Sequence, residues 1–412
     1  MKVKKVKISN IIGIFLIICM MTICFSGCSL LGKSNIVNIY QTGNNGDVVN
    51  TYDGLIDTIE NIEDSVVEVY AALSNQTSCG SGVIIDTTGE DNNNPNRFFV
   101  VTNFHVIEDG YSFVVKFTRW DKKFSAQLVG GDKISDIAVL MFETTECDDN
   151  CECKSSTSET KCTDECSTSC SCGCNVKGVQ FANSDNLKLG QTCIVIGNPL
   201  GSLGGSVSIG NISYLNREVS VENNDMTLIQ TTANINSGNS GGGMFDTNGN
   251  LIGIVNAKAS GTGIEGIGFA IPSNEVLDKV SKLIATSQIS DSGVVTEYGY
   301  VEGRTNYGIT ADYSSNSSAV YISSISSDSA FYNIKGSYSK TYNGLTIGYT
   351  TLQTSDTVYR INGVIITNLD KYKEEVNKFA VGSKVTLVVK RSDYFISFTV
   401  TLSQYHYTLP SL

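Results

Sequence analysis

The chain has 412 residues, 41% of them hydrophobic, and 39 Gly against 4 Pro, which suits two or three β-rich domains joined by tight turns. Its 29 Lys and Arg face 41 Asp and Glu, a formal net charge of −12, so little would neutralise phosphates and a nucleic-acid-binding role is disfavoured. The acidic balance speaks for solubility and self-repulsion rather than for any one partner.

The first 28 residues form a separate object. Lys2, Lys4, Lys5 and Lys7 precede an apolar run over 11–25, which ends in Phe25-Ser26-Gly27-Cys28. A basic segment, an apolar core and small residues make the layout of an export signal. The small residues before Cys28 resemble the lipobox of bacterial lipoproteins, which implies cleavage before Cys28 and acylation of its thiol. An uncleaved anchor is the other reading, for which a run of 15 residues is short. Loss of 1–27 removes four lysines and no acid, taking the charge from −12 to −16. Either way the working part is expected outside the cytoplasm, tethered to the membrane.

Residues 28–54, rich in Asn, Gly, Ser and Thr, read as a tether. Leu55, Ile56, Ile59 and Ile62 suggest a short helix leading into a strand over Val66–Leu73. Short β-type runs follow at Gly82–Ile85, Phe98–Thr102, Phe113–Phe117, Phe124–Val129 and Ile137–Phe142, separated by turn residues as in an antiparallel barrel. A second set runs Thr192–Ile196, Gly205–Leu215, Met226–Thr231, Gly242–Asp246, Leu251–Val255 and Gly268–Ile271, with an Asn248-Gly249 hairpin signal between two of them. Two such sets predict two barrels with a shared site between them. Ser273 is positioned to N-cap a helix over 274–286. A Ser/Thr/Gly stretch at 286–296 reads as a linker into a module at 297–404. That module alternates strands (Val320–Ile325, Val358–Ile361, Lys384–Lys390, Ile396–Leu402) with a helix near Leu369–Phe379.

The chemistry concentrates at Asn236-Ser237-Gly238-Asn239-Ser240-Gly241-Gly242. A nucleophilic serine needs a tight turn whose backbone N–H groups face the developing oxyanion, and flanking glycines permit that turn. A flexible Gly-rich loop is the bland alternative. Only two histidines exist, His105 and His406. His406 lies beyond the last strand of the C-terminal module, whereas His105 follows the apolar run Phe98–Thr102, a rigid mount for a general base. Asp136 runs straight into the apolar segment Ile137–Leu140 and can orient the imidazole; Asp109 and Asp132 compete for that role. The chain order His–Asp–Ser is that of chymotrypsin-type double barrels, not of subtilisins or α/β-hydrolases.

Five blocks resemble the HtrA (DegP/DegS-like) family of trypsin-like serine proteases: Thr102-Asn103-Phe104-His105-Val106, Asp136-Ile137-Ala138-Val139-Leu140, Ile196-Gly197-Asn198-Pro199, Gly238-Asn239-Ser240-Gly241-Gly242 and Gly266-Ile267-Gly268-Phe269-Ala270-Ile271-Pro272. The resemblance covers 55–285. It implies a mainly β, trypsin-like double barrel, the catalytic set His105, Asp136 and Ser240, and an oxyanion hole from the Gly238 and Ser240 amides. It implies endoproteolysis of unfolded or misfolded exported proteins through an acyl-enzyme, without a cofactor, by homotrimers. Departures are Gly243 where the family has Pro and Thr232 where it usually carries Asp. Asn234, six residues before Ser240, stands at the base of the primary specificity pocket; being uncharged, it predicts small or medium aliphatic P1 residues.

Residues 297–404 resemble a small α+β PDZ domain. Asn306-Tyr307-Gly308-Ile309 looks like the loop that captures a C-terminal carboxylate, with substrate-binding roles for Tyr307, Gly308 and Ile309. A Tyr/Ser/Gly-rich insertion at 329–354 departs from that pattern. Between barrel strands, an insert at 146–175 carries Cys147, Cys151, Cys153, Cys162, Cys166, Cys170, Cys172 and Cys174. An even number of cysteines in an exported segment reads as a disulfide-stapled loop, with a thiolate metal site as the alternative. Cys79 and Cys193 lie in strand contexts and are expected as buried thiols, with a mutual bridge open. The expected function is a lipid-anchored serine endopeptidase on the outer face of the cell membrane; the alternative is an HtrA-like peptide-binding or chaperone lipoprotein with little proteolysis.

Overall fold

Val66, Val67, Val69, Val83, Ile84 and Ile85 are β-branched, and their chain segments adopt the extended backbone that such side chains favour. The structure is a computed structural model. It describes residues 54–85, 97–118, 122–144, 178–198, 204–221, 224–257, 266–315 and 319–410, and the backbone alone of 51–53, 40–42, 48–50, 152–155 and 158–161. Cys28 and the side chains of the eight insert cysteines lie outside the described residues.

The chain separates into two compact units, residues 1–57 and 58–412. The first holds the antiparallel pair β1 (Tyr40–Thr42) and β2 (Val48–Asn50) and the opening of helix α1 (Thr51–Ile62). A short pair thus forms inside the stretch expected to be a plain tether.

The second unit begins with a closed antiparallel barrel. Its strands are β3 (Val66–Ala72), β4 (Thr77–Ile85), β5 (Arg97–Thr102), β6 (Ser112–Lys116), β7 (Lys123–Asp132) and β8 (Ile137–Glu143), joined in the order β3-β4-β5-β8-β7-β6. The short helix α2 (Phe104–Ile107) follows β5. Val69, Ile84, Val100, Leu128, Leu140 and Phe142 fill the barrel. Within the insert, β9 (Glu152–Ser155) and β10 (Ser158–Lys161) pair antiparallel.

A second closed barrel comprises β11 (Thr192–Gly197), β12 (Ser206–Val221), β13 (Asn224–Thr231), β14 (Gly243–Phe245), β15 (Leu251–Val255) and β16 (Gly268–Pro272), in the order β11-β12-β13-β16-β15-β14. Cys193, Val195, Ile229, Ile252 and Ala270 lie in its core. The fold is mainly β, with the paired six-stranded barrels of the chymotrypsin-like arrangement, as the strand spacing predicted. Gly243 sits between β11 and β15, and a side chain there would run into the buried Phe245 ring.

Helix α3 (Ser273–Thr286) follows β16 and buries Val276, Val280 and Leu283 at helical spacing. Ser273 is not its N-cap. It is the first helical residue, after Pro272, and its hydroxyl donates to the Ala182 carbonyl at 2.7 Å. The stretch expected as a linker holds the pair β17 (Gln288–Ile289) and β18 (Val295–Glu297). Gln127 ties it to the first barrel, donating to the Gly293 carbonyl at 2.7 Å and accepting from the Val295 amide at 3.0 Å.

An eight-stranded sheet completes the chain: β19 (Ile309–Ser314), β20 (Ala319–Ile325), β21 (Lys335–Ser339), β22 (Gly348–Thr351), β23 (Thr357–Ile361), β24 (Val364–Ile365), β25 (Lys384–Arg391) and β26 (Tyr394–Thr401). The Tyr/Ser/Gly-rich insertion supplies β21 and β22, which add to the sheet beside β26. Helix α4 (Leu369–Val376) is N-capped by Asn368, whose side chain accepts from the Lys371 amide at 2.8 Å. Past β26 the chain returns to the first barrel, where the Tyr407 and Phe104 rings meet edge to face at 4.7 Å.

Candidate active site

The apolar strand β5 ends at Thr102, and one helical turn follows in which Phe104, Val106 and Ile107 are buried. Those three anchors leave His105 as the partly exposed residue of the turn, its side chain 19% accessible. The mount is therefore the helix after the strand, not the strand end itself.

Asp136 lies in the turn before β8 with φ of 55°, a left-handed conformation that Asp tolerates better than most residues. The Asn103 side chain donates to its backbone carbonyl at 3.0 Å. One carboxylate oxygen, Oδ1, accepts from the His105 backbone N–H at 2.9 Å. The other, Oδ2, lies 2.7 Å from His105 Nδ1 and accepts from Asn256 Nδ2 at 3.0 Å. A carboxylate against Nδ1 keeps the ring proton there and leaves the Nε2 lone pair available. The competitors make no bond to His105 among the described residues. Asp109 is exposed. Asp132 is buried and binds the Ser135 amide and hydroxyl at 3.2 and 2.6 Å.

Around Ser240 nearly every backbone group is committed. The Gly238 carbonyl accepts from Ser81 Oγ at 2.8 Å, and the Asn239 N–H donates to the Asn236 carbonyl at 3.0 Å. The Asn239 carbonyl accepts from the Gly242 N–H at 2.9 Å, and the Ser240 carbonyl from the Ser81 N–H at 2.8 Å. Gly241 donates to the Val255 carbonyl at 3.0 Å. From Gly238 to Gly242, the N–H groups of Gly238 and Ser240 have no acceptor among the described residues. Gly238 and Gly241 have φ of 95° and 82°, which only glycine adopts without strain, and a side chain on Gly241 would run into the Ser81 carbonyl. The Ser240 hydroxyl oxygen accepts from the Ala257 N–H at 3.3 Å and makes no hydrogen bond to His105 among the described residues. In ligand-free enzymes such nucleophile–base contacts are often long and tighten when substrate binds.

The turn carrying Asp136 is also held from the C-terminal side. Arg304 grips Asp132 in a two-pronged ion pair, Nε to Oδ1 at 3.1 Å and an Nη to Oδ2 at 2.9 Å. The Asp132 side chain is only 2% exposed. Removal of Arg304 strands a buried carboxylate, so Arg304→Ala should lower unfolding stability by about 3 kcal/mol, read by urea titration. An unchanged midpoint would show that water replaces the guanidinium without loss.

The other predicted residues make contacts of their own. Asn234 is exposed, its N–H donating to Ser208 Oγ at 2.8 Å. Thr232 uses its hydroxyl to accept from the Asn211 N–H at 2.9 Å. His406 packs its ring on Tyr300 at 4.2 Å. Tyr307 is buried against Phe331 and Phe379, and burial pushes its hydroxyl pKa up. Cys79 and Cys193 are both free thiols; Cys193 is buried, but Cys79 is exposed because the edge of β4 near Thr77 projects to solvent. Sequence reasoning missed Asn256, Asn103, Ser81 and Asn198. Their signal was a polar residue placed within or at the end of an apolar strand.

Residues 80–254 match the trypsin-like peptidase domain family. The chain is 31% identical over 327 residues to the periplasmic serine endoprotease DegP of Escherichia coli K12, covering 79% of this chain and 57% of that protein. It is 35% identical over 199 residues to the serine protease Do-like HtrB of Bacillus subtilis 168, covering 47% of this chain and 37% of that one. The chain thus spans little more than half the length of the first of these relatives, and less of the second. A serine endoprotease structure from Yersinia pestis aligns with a TM-score of 0.45 at 23% identity, covering 87% of this chain and 100% of that one.

Proposed function

We propose that this chain is an HtrA-type serine endopeptidase whose nucleophile is Ser240. The observation that carries the reading is the Ser240 turn, where the Asn239, Gly241 and Gly242 N–H groups are engaged by backbone carbonyls while those of Gly238 and Ser240 have no acceptor among the described residues. Two open backbone donors beside a hydroxyl are what an acyl-transfer oxyanion needs.

In this mechanism His105 Nε2 removes the Ser240 proton as Oγ attacks the scissile carbonyl. The carbonyl oxygen takes the electron pair and receives the Gly238 and Ser240 N–H groups. Asp136, fixed by His105 and Asn256, stabilises the imidazolium. The imidazolium returns its proton to the departing amine, leaving an acyl-serine. Water then attacks with His105 again as base, and the acid product departs with Ser240 regenerated.

The substrates proposed are unfolded or misfolded exported polypeptides, cut on the outer face of a membrane to which Cys28 would be lipid-anchored, by a homotrimer. The leader layout and the periplasmic relative support the location. For the module at 297–404 we propose a PDZ-like role at the Tyr307–Ile309 loop. A peptide strand added beside β19 on the α4 side must first displace the buried Tyr372 hydroxyl, which donates to the Ile309 carbonyl at 3.1 Å.

A fluorophosphonate probe tests the site directly. Wild-type protein should form a single covalent adduct, mapped to Ser240 by mass spectrometry, and His105→Ala should react at no more than about a thousandth of that rate. Absence of the wild-type adduct would remove the nucleophile assignment.

A further inference from the structure

A chain of buried polar groups runs from the wall of the first barrel to the Ser240 turn of the second. It begins at Glu68 on β3, which is 4% exposed. Its carboxylate accepts from Lys116 Nζ at 3.3 Å, from Thr118 Oγ1 at 3.2 Å and from the Tyr70 hydroxyl. Burial first, and the carboxylate second, push the Tyr70 hydroxyl up, so it remains a donor. Glu68 also accepts from the Asn198 side chain at 3.1 Å, across the two barrels. Asn198 is 1% exposed, and its backbone N–H donates to Ser81 Oγ at 2.8 Å.

Ser81 is wholly buried, and its hydroxyl has one proton to give. With the Asn198 N–H aimed at its oxygen, that proton is directed to the Gly238 carbonyl, 2.8 Å away. The Ser81 N–H holds the Ser240 carbonyl, while its own carbonyl accepts from Thr102 Oγ1 at 2.7 Å. Every polar group of this one residue is therefore spent, and two of them clamp the carbonyls on either side of Asn239.

A glycine with φ of 95° has no side chain to restrain it, so Gly238 can rotate its flanking peptides unless something fixes them. A peptide is planar, so holding the Gly238 carbonyl fixes the unit joining it to Asn239, which lies between the peptides that carry the Gly238 and Ser240 N–H groups. Resting on the reading of Ser240 as nucleophile, we propose that Ser81 is a positioning residue for the oxyanion site, its hydroxyl transmitting the Glu68–Asn198 anchor to the Gly238 carbonyl so that the Gly238 and Ser240 N–H groups stay convergent. It touches no reacting atom.

The test separates positioning from mere structure. Ser81→Ala should lower kcat for casein-derived peptides by about 10- to 100-fold, less than outright loss of an oxyanion donor, with KM within about twofold of wild type. Affinity for a peptide boronate, whose tetrahedral adduct uses the same donors, should fall by a similar factor. Ser81→Thr keeps the hydroxyl and should recover kcat to within about threefold of wild type. Unchanged kcat in Ser81→Ala overturns the proposal, as does a loss that folded Ser81→Thr fails to recover. Should the Ser81 variants not fold, Glu68→Gln decides, with a kcat fall of about 3- to 10-fold expected and no change overturning the proposal. Wild-type protein inactive on casein would sink the protease reading as well; active wild type with unaffected variants would sink only the role of Ser81.

Discussion

Casein digestion by the wild-type protein should disappear in Ser240→Ala, with kcat falling on the order of a million-fold. The size of the loss follows from what alanine removes. The other hydroxyl of the turn, on Ser237, is exposed and lies before Gly238 rather than at the Ser240 position, so alanine leaves no nucleophile in its place. What remains is binding and oxyanion stabilisation alone, which leaves a small residual rate over the uncatalysed reaction. The substitution removes one oxygen whose recorded contact is the 3.3 Å bond from the Ala257 N–H, so folding should be preserved. Equal digestion by wild type and Ser240→Ala would end the protease claim and leave a binding protein on this scaffold.

Asp136→Asn should reduce kcat by about 10⁴-fold with the fold intact, measured on a fluorogenic peptide alongside thermal unfolding. Asparagine also tolerates the left-handed backbone at this position, so the turn itself is not disturbed. The damage lies in donor and acceptor matching. Asp136 presents oxygen to three donors: the His105 N–H at 2.9 Å, His105 Nδ1 at 2.7 Å and Asn256 Nδ2 at 3.0 Å. An amide has one oxygen. With its NH2 at the Oδ2 position it opposes the Asn256 amide and forces the imidazole proton to Nε2, where it cannot act as base. With its NH2 at the Oδ1 position it opposes the His105 backbone N–H instead, and the imidazolium loses its counter-charge. A variant within tenfold of wild type would move the role to another carboxylate, and Asp132→Asn would then be the next protein to assay.

Much of this was open to reading in one dimension. Strand positions followed from alternating and continuous apolar runs such as Val66–Leu73 and Ile137–Phe142, and the barrels formed from them. The near absence of histidine isolated His105, and the glycines around Ser240 marked its turn, because a positive φ demands that residue type locally. Where expectation and structure parted, the reason was tertiary. Ser273 gave up capping because the Ala182 carbonyl offered its hydroxyl a partner, and the 286–296 stretch carries a short strand pair whose turn Gln127 holds at Gly293 and Val295.

Chain order and residue type therefore determined the architecture and the turn of Ser240, and pointed to His105, since strands and turns depend on local backbone preference and hydrophobic period and the chain has only one other histidine. Sequence favoured Asp136 over Asp109 and Asp132 because it runs straight into an apolar strand; tertiary structure decided what holds each carboxylate. Barrel closure brings Asn256, 120 residues away, onto Asp136 and leaves Asp132 to Arg304. Ser81 reaches Gly238 across 157 residues in the same way. A hydrogen bond is decided within a few tenths of an ångström, and between distant segments that distance is set by how two barrels pack, not by any motif in either strand.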